Sequence, residues 1–413
     1  MGVLQGIYPD QYNAPALSGV RVVDMTHFES GTSATETLAW LGADVIKVEP
    51  PNGDRGRRST ADRADADSWY FLMLNANKRS IKLDLHDDND RGVLRRLIES
   101  ADAFVENYSP GTIERLGFGY HTVSEMNSRI VYGSIKGFAP GSPFGDFLAF
   151  DPIGQAVGGS VSLTGSPGQA PTRPGVTIAD TGTGLHLVIG ILAALHQRAR
   201  TGRGQLVQVS MQESVINYCR IAYSVQLRDD RPAGRHGNKI GLPTYPGDLF
   251  QCRGDGQNDY IFIYTSRADN NQWLRLLRVI GRIDLAADER LATTELRFEH
   301  WELVKSVIEE WTSKLPKREA MQLLGEARVP AGAVLDTEEL MSDPFLSESG
   351  MFATVTHPVR GTFRMPGWPV RMSDSRVEVV AAPVLDQHRA EILAELRGPS
   401  KGADKRTVAA TEG

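Results

Sequence analysis

The chain has 413 residues, of which 41% are hydrophobic and 23% charged, an ordinary globular balance long enough for two domains with sizeable cores. A formal net charge of −6 argues against a broad nucleic-acid-binding surface. The two cysteines, Cys219 and Cys252, sit in no CxxC or ligand-spaced pattern, which argues against a disulfide framework or a structural zinc and suits a reducing compartment.

Residues 1–17 contain no basic region followed by an apolar run, so no secretory signal is visible. Residues 20–25 form an apolar, β-branched run that predicts a buried strand. Residues 33–41 have helical composition and stop at Gly42, and residues 44–48 give the next strand, closing one β-α-β unit. A strand over 79–85 follows, then a helix over 91–100 with Val93, Leu94, Leu97 and Ile98 on one face. Residues 103–105 and 129–135 read as strands, with a short helix from Pro110 to Leu116 between them. Alternation of this kind implies α/β architecture with a largely parallel sheet, and such sheets bind ligands at the carboxyl ends of their strands. The stretches 27–31, 85–87, 107–111 and 136–138 therefore become the positions of interest.

Residues 139–179 are rich in Gly, Pro and Ser and predict mostly loop. A long helix is expected over 180–201, a turn over 201–205, a strand over 206–210 and a helix over 213–227. Its most apolar stretch, 185–195, is too short to span a membrane and contains His186. The large domain thus occupies 1–227 and a charged, glycine-punctuated linker 228–248. A smaller α/β domain covers 249–334, with a strand at 260–264 and helices near 271–280, 300–315 and 318–328. Residues 335–413 return as extended structure with one helix over 386–396, and residues beyond Pro399 read as disordered.

The sequence lacks a GxSxG elbow, an HExxH pair, a Walker loop and a GxGxxG after the first strand. The nine histidines show no metal-ligand spacing. The most informative segment is Ile178-Ala-Asp-Thr-Gly-Thr-Gly184, where an acid precedes a strongly apolar helix. Asp180 reads as a helix N-cap. It reads also as a nucleophile left open by small neighbours, its ionised form favoured by the helix N-terminus, and the two readings are compatible.

Several motifs together resemble the class III CoA-transferase family, also called the carnitine CoA-transferase and α-methylacyl-CoA racemase superfamily. They include Leu17-Ser-Gly-Val-Arg-Val-Val-Asp24, Leu41-Gly-Ala-Asp-Val-Ile-Lys-Val-Glu-Pro50, Asn77-Lys-Arg-Ser-Ile-Lys-Leu-Asp84 and Val105-Glu-Asn-Tyr-Ser-Pro-Gly111. Asp180-Thr-Gly-Thr-Gly-Leu-His186, Gly190-Ile-Leu-Ala-Ala-Leu195, Thr201-Gly-Arg-Gly-Gln205, Val329-Pro-Ala-Gly332, Asp343-Pro344, His357-Pro358 and Ala382-Pro383 extend the match over roughly residues 17–396. Residues 180–221 are especially similar to the formyl-CoA:oxalate branch.

The resemblance implies an interlocked, ring-like homodimer, each chain having a Rossmann-like CoA-binding domain and a smaller α/β domain. It implies that Asp180 attacks an acyl-CoA thioester, so that CoA passes to a carboxylic acid through an aspartyl anhydride and an aspartyl-CoA thioester. No tightly bound cofactor and no metal is implied, and acyl-CoA and the acid are the substrates. Glu29 falls where relatives carry a polar residue near the intermediates. Leu83, Asp84, Leu85, His86, Asn107, Tyr108, Ser109 and Arg115 match the stretches that hold the nucleotide, with Arg115 the phosphate partner. Phe150 and Asp151 match the end of that region.

Two departures bear on the acceptor. Leu148 and Phe150 stand where the oxalate branch has Lys and Tyr, and its glycine-rich flap is shortened to about His236-Gly-Asn-Lys-Ile-Gly241. Oxalate and succinate are nevertheless the acids that the branch suggests. An acyl-CoA racemase is the alternative within the family, but Phe150-Asp151 replaces its His-Asp pair and phenylalanine is no general base. A catalytically inactive CoA-binding protein is the other. The cellular expectation is a cytoplasmic protein with neither nucleic-acid nor membrane partners.

Overall fold

The computed structural model describes residues 14–240 and 244–397. The start of the leader, Gly241 of the shortened flap and the tail beyond Pro399 lie outside the described residues. The described residues divide into two compact units, one within 14–158, 175–219 and 349–397, the other within 159–174, 220–240 and 244–348.

The first unit is built on β1 (Arg21–Met25), α1 (Ser30–Trp40), β2 (Asp44–Glu49), β3 (Arg79–Lys82), α2 (Asp88–Ser100), β4 (Ala103–Glu106), α3 (Thr112–Arg115), α4 (Tyr120–Met126) and β5 (Val131–Lys136). It continues with α5 (Asp151–Gly158), α6 (Thr181–Thr201), β6 (Leu206–Ser210) and α7 (Met211–Tyr218). The six strands pair in the order β3-β2-β1-β4-β5-β6, every pair parallel. Successive side chains of a strand point to opposite faces, so one sheet feeds two cores. Val23, Ile46, Ile81 and Phe104 pack with α2 residues Val93, Leu94 and Leu97 on one face. Val22, Val45, Val105 and Val131 pack with Leu38 of α1 and Leu187, Val188 and Ile191 of α6 on the other. The order reverses between β1 and β4, and a crevice opens at the carboxyl ends of strands at such a switch. That is where the candidate site lies.

Three differences from the sequence reading have local causes. Helix α1 begins at Ser30, a turn before residue 33, because Thr32 and Thr35 donate their hydroxyls back to Phe28, Glu29, Gly31 and Thr32 carbonyls and so support the first turns. Residues 151–158 form helix α5 inside the expected loop. Its glycines are required by packing: a Cβ on Gly154 would lie 2.8 Å from Ala179 Cβ, and one on Gly158 would lie 2.4 Å from Val215 Cβ. The helix expected over 213–227 instead starts at Met211, where the Ser210 hydroxyl accepts from the Glu213 amide, and it is broken after Tyr218.

The second unit carries an antiparallel sheet of β7 (Gly247–Gln251), β8 (Tyr260–Tyr264) and β9 (Ala331–Ala333), of which the sequence reading named only β8. Helices α8 (Asn271–Val279), α9 (Trp301–Thr312) and α10 (Lys317–Glu326) bury Trp273, Leu276, Leu277, Val304, Ile308 and Leu324 against it. The segment after residue 335 is not simply extended. It includes helices Thr337–Met341 and Pro344–Glu348, and the first unit then holds an antiparallel hairpin of β10 (Phe352–His357) and β11 (Gly361–Pro366) and a closing helix α11 (Arg389–Glu395).

Candidate active site

A cleft of about 540 Å³ opens at the β1/β4 switch. Its walls come from the segments that follow β1, β2, β3, β4 and β5, together with the residue before α6. Of the residues singled out from sequence, Glu29, Leu83, Asp84, Leu85, His86, Asn107, Tyr108, Ser109, Phe150 and Asp180 line it. Two do not. Arg115, at the last position of α3, is exposed and donates to the Thr112 hydroxyl at 2.8 Å; Thr112 lines the cleft and Arg115 itself does not. Asp151 lies behind the wall, buried, where its Oδ1 accepts from the Ala179 amide at 3.0 Å and more distantly from the Asp180 amide at 3.4 Å. Its Oδ2 accepts from Gln155 Nε2 at 2.6 Å. Asp151 therefore fixes the backbone leading into α6.

Asp180 occupies the N-cap position of α6, yet it does not cap. Its backbone is already helical (φ −82°, ψ −72°) and its side chain accepts no hydrogen bond from the helix. A capping aspartate takes extended backbone angles and binds the N2 or N3 amide. The carboxylate is instead presented to the cleft. Burial, then the neighbouring charges of Glu29 and Asp151, push it up from 3.8 to about 7. Desolvation and the two acids thus act against the ionised form that a helix N-terminus is expected to favour.

The glycines after Asp180 are set by packing. A Cβ on Gly184 would lie 2.5 Å from Ser33 Oγ and 2.6 Å from the Ser30 carbonyl, so this glycine permits close crossing of α1 and α6. A Cβ on Gly182 would lie 2.7 Å from the Tyr218 ring, whose hydroxyl donates to the Gly182 carbonyl at 2.8 Å. Both glycines are thus required by close packing around the start of α6.

Glu29 is 8% exposed and held in place by hydroxyl groups. Thr181 donates to its Oε1 at 2.9 Å and Thr177 to the same oxygen by a short bond, while Tyr70 OH is 3.5 Å from its Oε2. Two acids thus share one wall, and the threonines before and after Asp180 in the sequence both donate to Glu29. Tyr70 is pushed well above the ordinary phenol range by burial and then by the charges of Glu29, Asp180 and Asp54, which keeps it a donor.

The loop between β1 and α1 carries the rest. Asn107 accepts from the His27 amide at 2.8 Å and donates to the His27 carbonyl at 2.8 Å, clamping the ends of β1 and β4 together. The His27 and Tyr108 rings meet edge to face with centroids 4.7 Å apart. Phe28 has φ +57°, a conformation that costs an aromatic residue about 1 kcal/mol or more, and its ring meets Phe150 edge to face. Lys136 lines the cleft with its ammonium 2.8 Å from Glu106 Oε2. Arg55 lines it too, exposed, and no acid among the described residues pairs with it.

Sequence reasoning missed Arg55, Tyr70, Thr177 and Thr181. The two threonines carried a legible signal, a hydroxyl on either side of the acid. Arg55 and Tyr70 sit in residues 51–78, where nothing periodic marks them.

A sequence model described as CoA-transferase family III matches residues 17–389. A formyl-CoA:oxalate CoA-transferase of Streptomyces avermitilis is 44% identical over 392 residues, covering 91% of this chain and 94% of the relative. One of Rhodopseudomonas palustris is 40% identical over 405 residues, covering 93% and 94%. The crystal structure of a CAIB/BAIF family protein from Brucella suis superimposes with a TM-score of 0.81 at 30% identity, covering 93% of this chain and all of that one.

Proposed function

The chain belongs to CoA-transferase family III, and from the arrangement of its cleft we propose that it moves CoA from an acyl-CoA to a carboxylic acid with Asp180 as the covalent nucleophile. The observation that carries this reading is an aspartate at a helix start that leaves the helix uncapped and turns to the cleft.

The Asp180 carboxylate attacks the donor thioester carbonyl and expels CoA thiolate, leaving a mixed anhydride. The thiolate attacks the aspartyl carbonyl and releases the donor acid, leaving an aspartyl-CoA thioester. The acceptor carboxylate attacks that thioester, giving a second anhydride and thiolate, and the thiolate takes the acceptor acyl group and frees Asp180. Each hard exchange is split into easier steps, as in other covalent catalysis. A carboxyl at about 7 is about half ionised at neutral pH, and its ionised form is more nucleophilic than that of an ordinary aspartate. Glu29, held by Thr177, Thr181 and Tyr70, stands near enough to Asp180 for its charge to raise the basicity of the nucleophile. The phosphates and pantetheine run along Leu83 to His86 and Asn107 to Ser109, with Arg55 as the charged contact.

The acceptor is a small dicarboxylate such as oxalate, the acid named in the relatives, or succinate. Leu148 and Phe150 line the cleft as exposed apolar groups, so succinate with its two methylenes suits the wall better than oxalate. A homodimer fits exposed Leu185 and Ile189, four residues apart on α6, a stripe that a monomer leaves in water. The test is transfer of CoA from formyl-CoA and succinyl-CoA to a panel of mono- and dicarboxylic acids. New acyl-CoA is expected with at least one dicarboxylate, and exchange of a substrate α-hydrogen with deuterated water, with no transfer, would point to a racemase.

A further inference from the structure

Beneath the loop that carries Glu29 lies a fully buried ion pair that the mechanism does not use. Lys47 of β2 is 0% exposed and Asp54 is 1% exposed, and neither lines the cleft. Lys47 Nζ is 2.8 Å from Asp54 Oδ2 and donates to the Thr26 carbonyl at 2.9 Å. Asp54 Oδ1 accepts from the Gly56 amide at 2.7 Å and from the Phe28 amide at 3.5 Å, and lies 3.7 Å from His27 Nδ1. The Asp54 amide donates to Glu49 Oε2 at 2.9 Å. Burial pushes the Asp54 carboxyl up, but the Lys47 ammonium and His27 outweigh it and hold the group far below the carboxylate range.

Taking two charges out of water costs several kcal/mol per ion, and apolar residues of like volume are often as stable. A buried pair is thus poor value as a fold stabiliser. Its contacts here fall on three consecutive residues, the Thr26 carbonyl, the His27 ring and the Phe28 amide, the last in a left-handed conformation that the surroundings must enforce. The next residue is Glu29. A second buried lysine extends the grip: Lys78 lies 3.0 Å from Asp24 Oδ2 and donates to the Thr32 carbonyl at 3.0 Å.

We infer that Lys47 and Asp54 are positioning residues that hold residues 26–28 in the strained path placing Glu29 beside Asp180. The inference rests on the acyl-transfer reading for its kinetic consequence but not for its structural one. A misplacement of about 1 Å at a reacting group costs on the order of 100-fold in rate.

The test compares Lys47→Met, Asp54→Asn and the double variant in the dimer or monomer as purified. Either single change unbalances the buried charges, since Lys47 also faces Asp24 and Glu49 and Asp54 also faces His27, and lowers the melting temperature. The double variant removes both charges and is expected to recover most of it. It is nevertheless expected to show kcat lowered on the order of 10-fold or more with KM for acyl-CoA within about threefold. Amide exchange in the peptide spanning residues 25–30 is expected to be faster on the order of 10-fold, with α6 unchanged. A double variant that recovers both melting temperature and kcat, or whose 25–30 amides exchange at the wild-type rate, overturns the inference. An inactive wild type sinks the functional reading instead, and the exchange measurement still decides the positioning role.

Discussion

Replacing Glu29 by Gln keeps an acceptor for the Thr177 and Thr181 hydroxyls while removing a like charge beside Asp180. Asp180 stands at about 7 against an ordinary 3.8, a displacement of about 3 pH units, and burial is the largest of its three causes, ahead of Glu29 and Asp151. Glu29 therefore accounts for no more than half. The expected effect of its removal is a downward move of about 1 pH unit, equivalent to ~1.4 kcal/mol. On the proposed mechanism Asp180 must be ionised to attack, so kcat/KM is expected to rise with pH through the free-enzyme value and then level off. Wild type is expected to rise around pH 7 and Glu29→Gln around pH 6. At pH 6, relative to its own plateau, the variant is then on the order of fivefold more active than wild type. The assay is carboxylate exchange into acyl-CoA from pH 5 to 9 at fixed ionic strength. A rising limb that stays in place, or moves upward, refutes the coupling of the two acids.

The same displacement makes Asp180 a burden on folding. Its folded value is raised, so the folded state holds the proton more tightly than the unfolded one between about pH 4 and 7, and stability is lost as pH rises through that window. Asp180→Asn is expected to be more stable than wild type by about 1–2 kcal/mol at pH 8, discounted for partial exposure, and nearly equal at pH 4, by denaturant melts. Arg55→Ala is expected to weaken CoA about three- to tenfold with kcat little changed, and Arg115→Ala to change it less than about twofold, by calorimetric titration. The reverse ranking would restore Arg115 as the phosphate contact. Gly184→Ala forces α1 from α6, since its Cβ would lie 2.5 Å from Ser33 Oγ; a loss of about 1–3 kcal/mol is expected in the same melts.

The order of strands and helices through residue 136 was legible because buried parallel strands read as short apolar runs and their helices as 3.6-residue stripes. Asp180 stood out for the same reason, an acid at the margin of an apolar helix. What it does there was not legible. Whether an aspartate caps depends on its backbone angles, and the Asp180 backbone is held by Asp151, a residue 29 positions earlier. Helix α5 was hidden because glycine at 154 and 158 is set by close packing on Ala179 and Val215, which composition reports as loop. Lys47 and Asp54 were invisible as a pair. In sequence, Lys47 is one charge in an apolar strand, and only the folding of residues 50–54 back beneath the loop after β1 brings Asp54 to it. The clamp between His27 and Asn107 joins residues 80 apart and carries no local pattern. The hairpin β10–β11 was missed because its edge residues alternate weakly and read as extended tail.

The most direct measurement is capture of the acylated aspartate. The protein is incubated with acyl-CoA, treated with hydroxylamine, digested and examined by mass spectrometry. A hydroxamate on Asp180, absent from Asp180→Ala although that variant still binds CoA, is the expected result. An unmodified Asp180 peptide during active turnover, or transfer that survives in Asp180→Ala, would contradict the account.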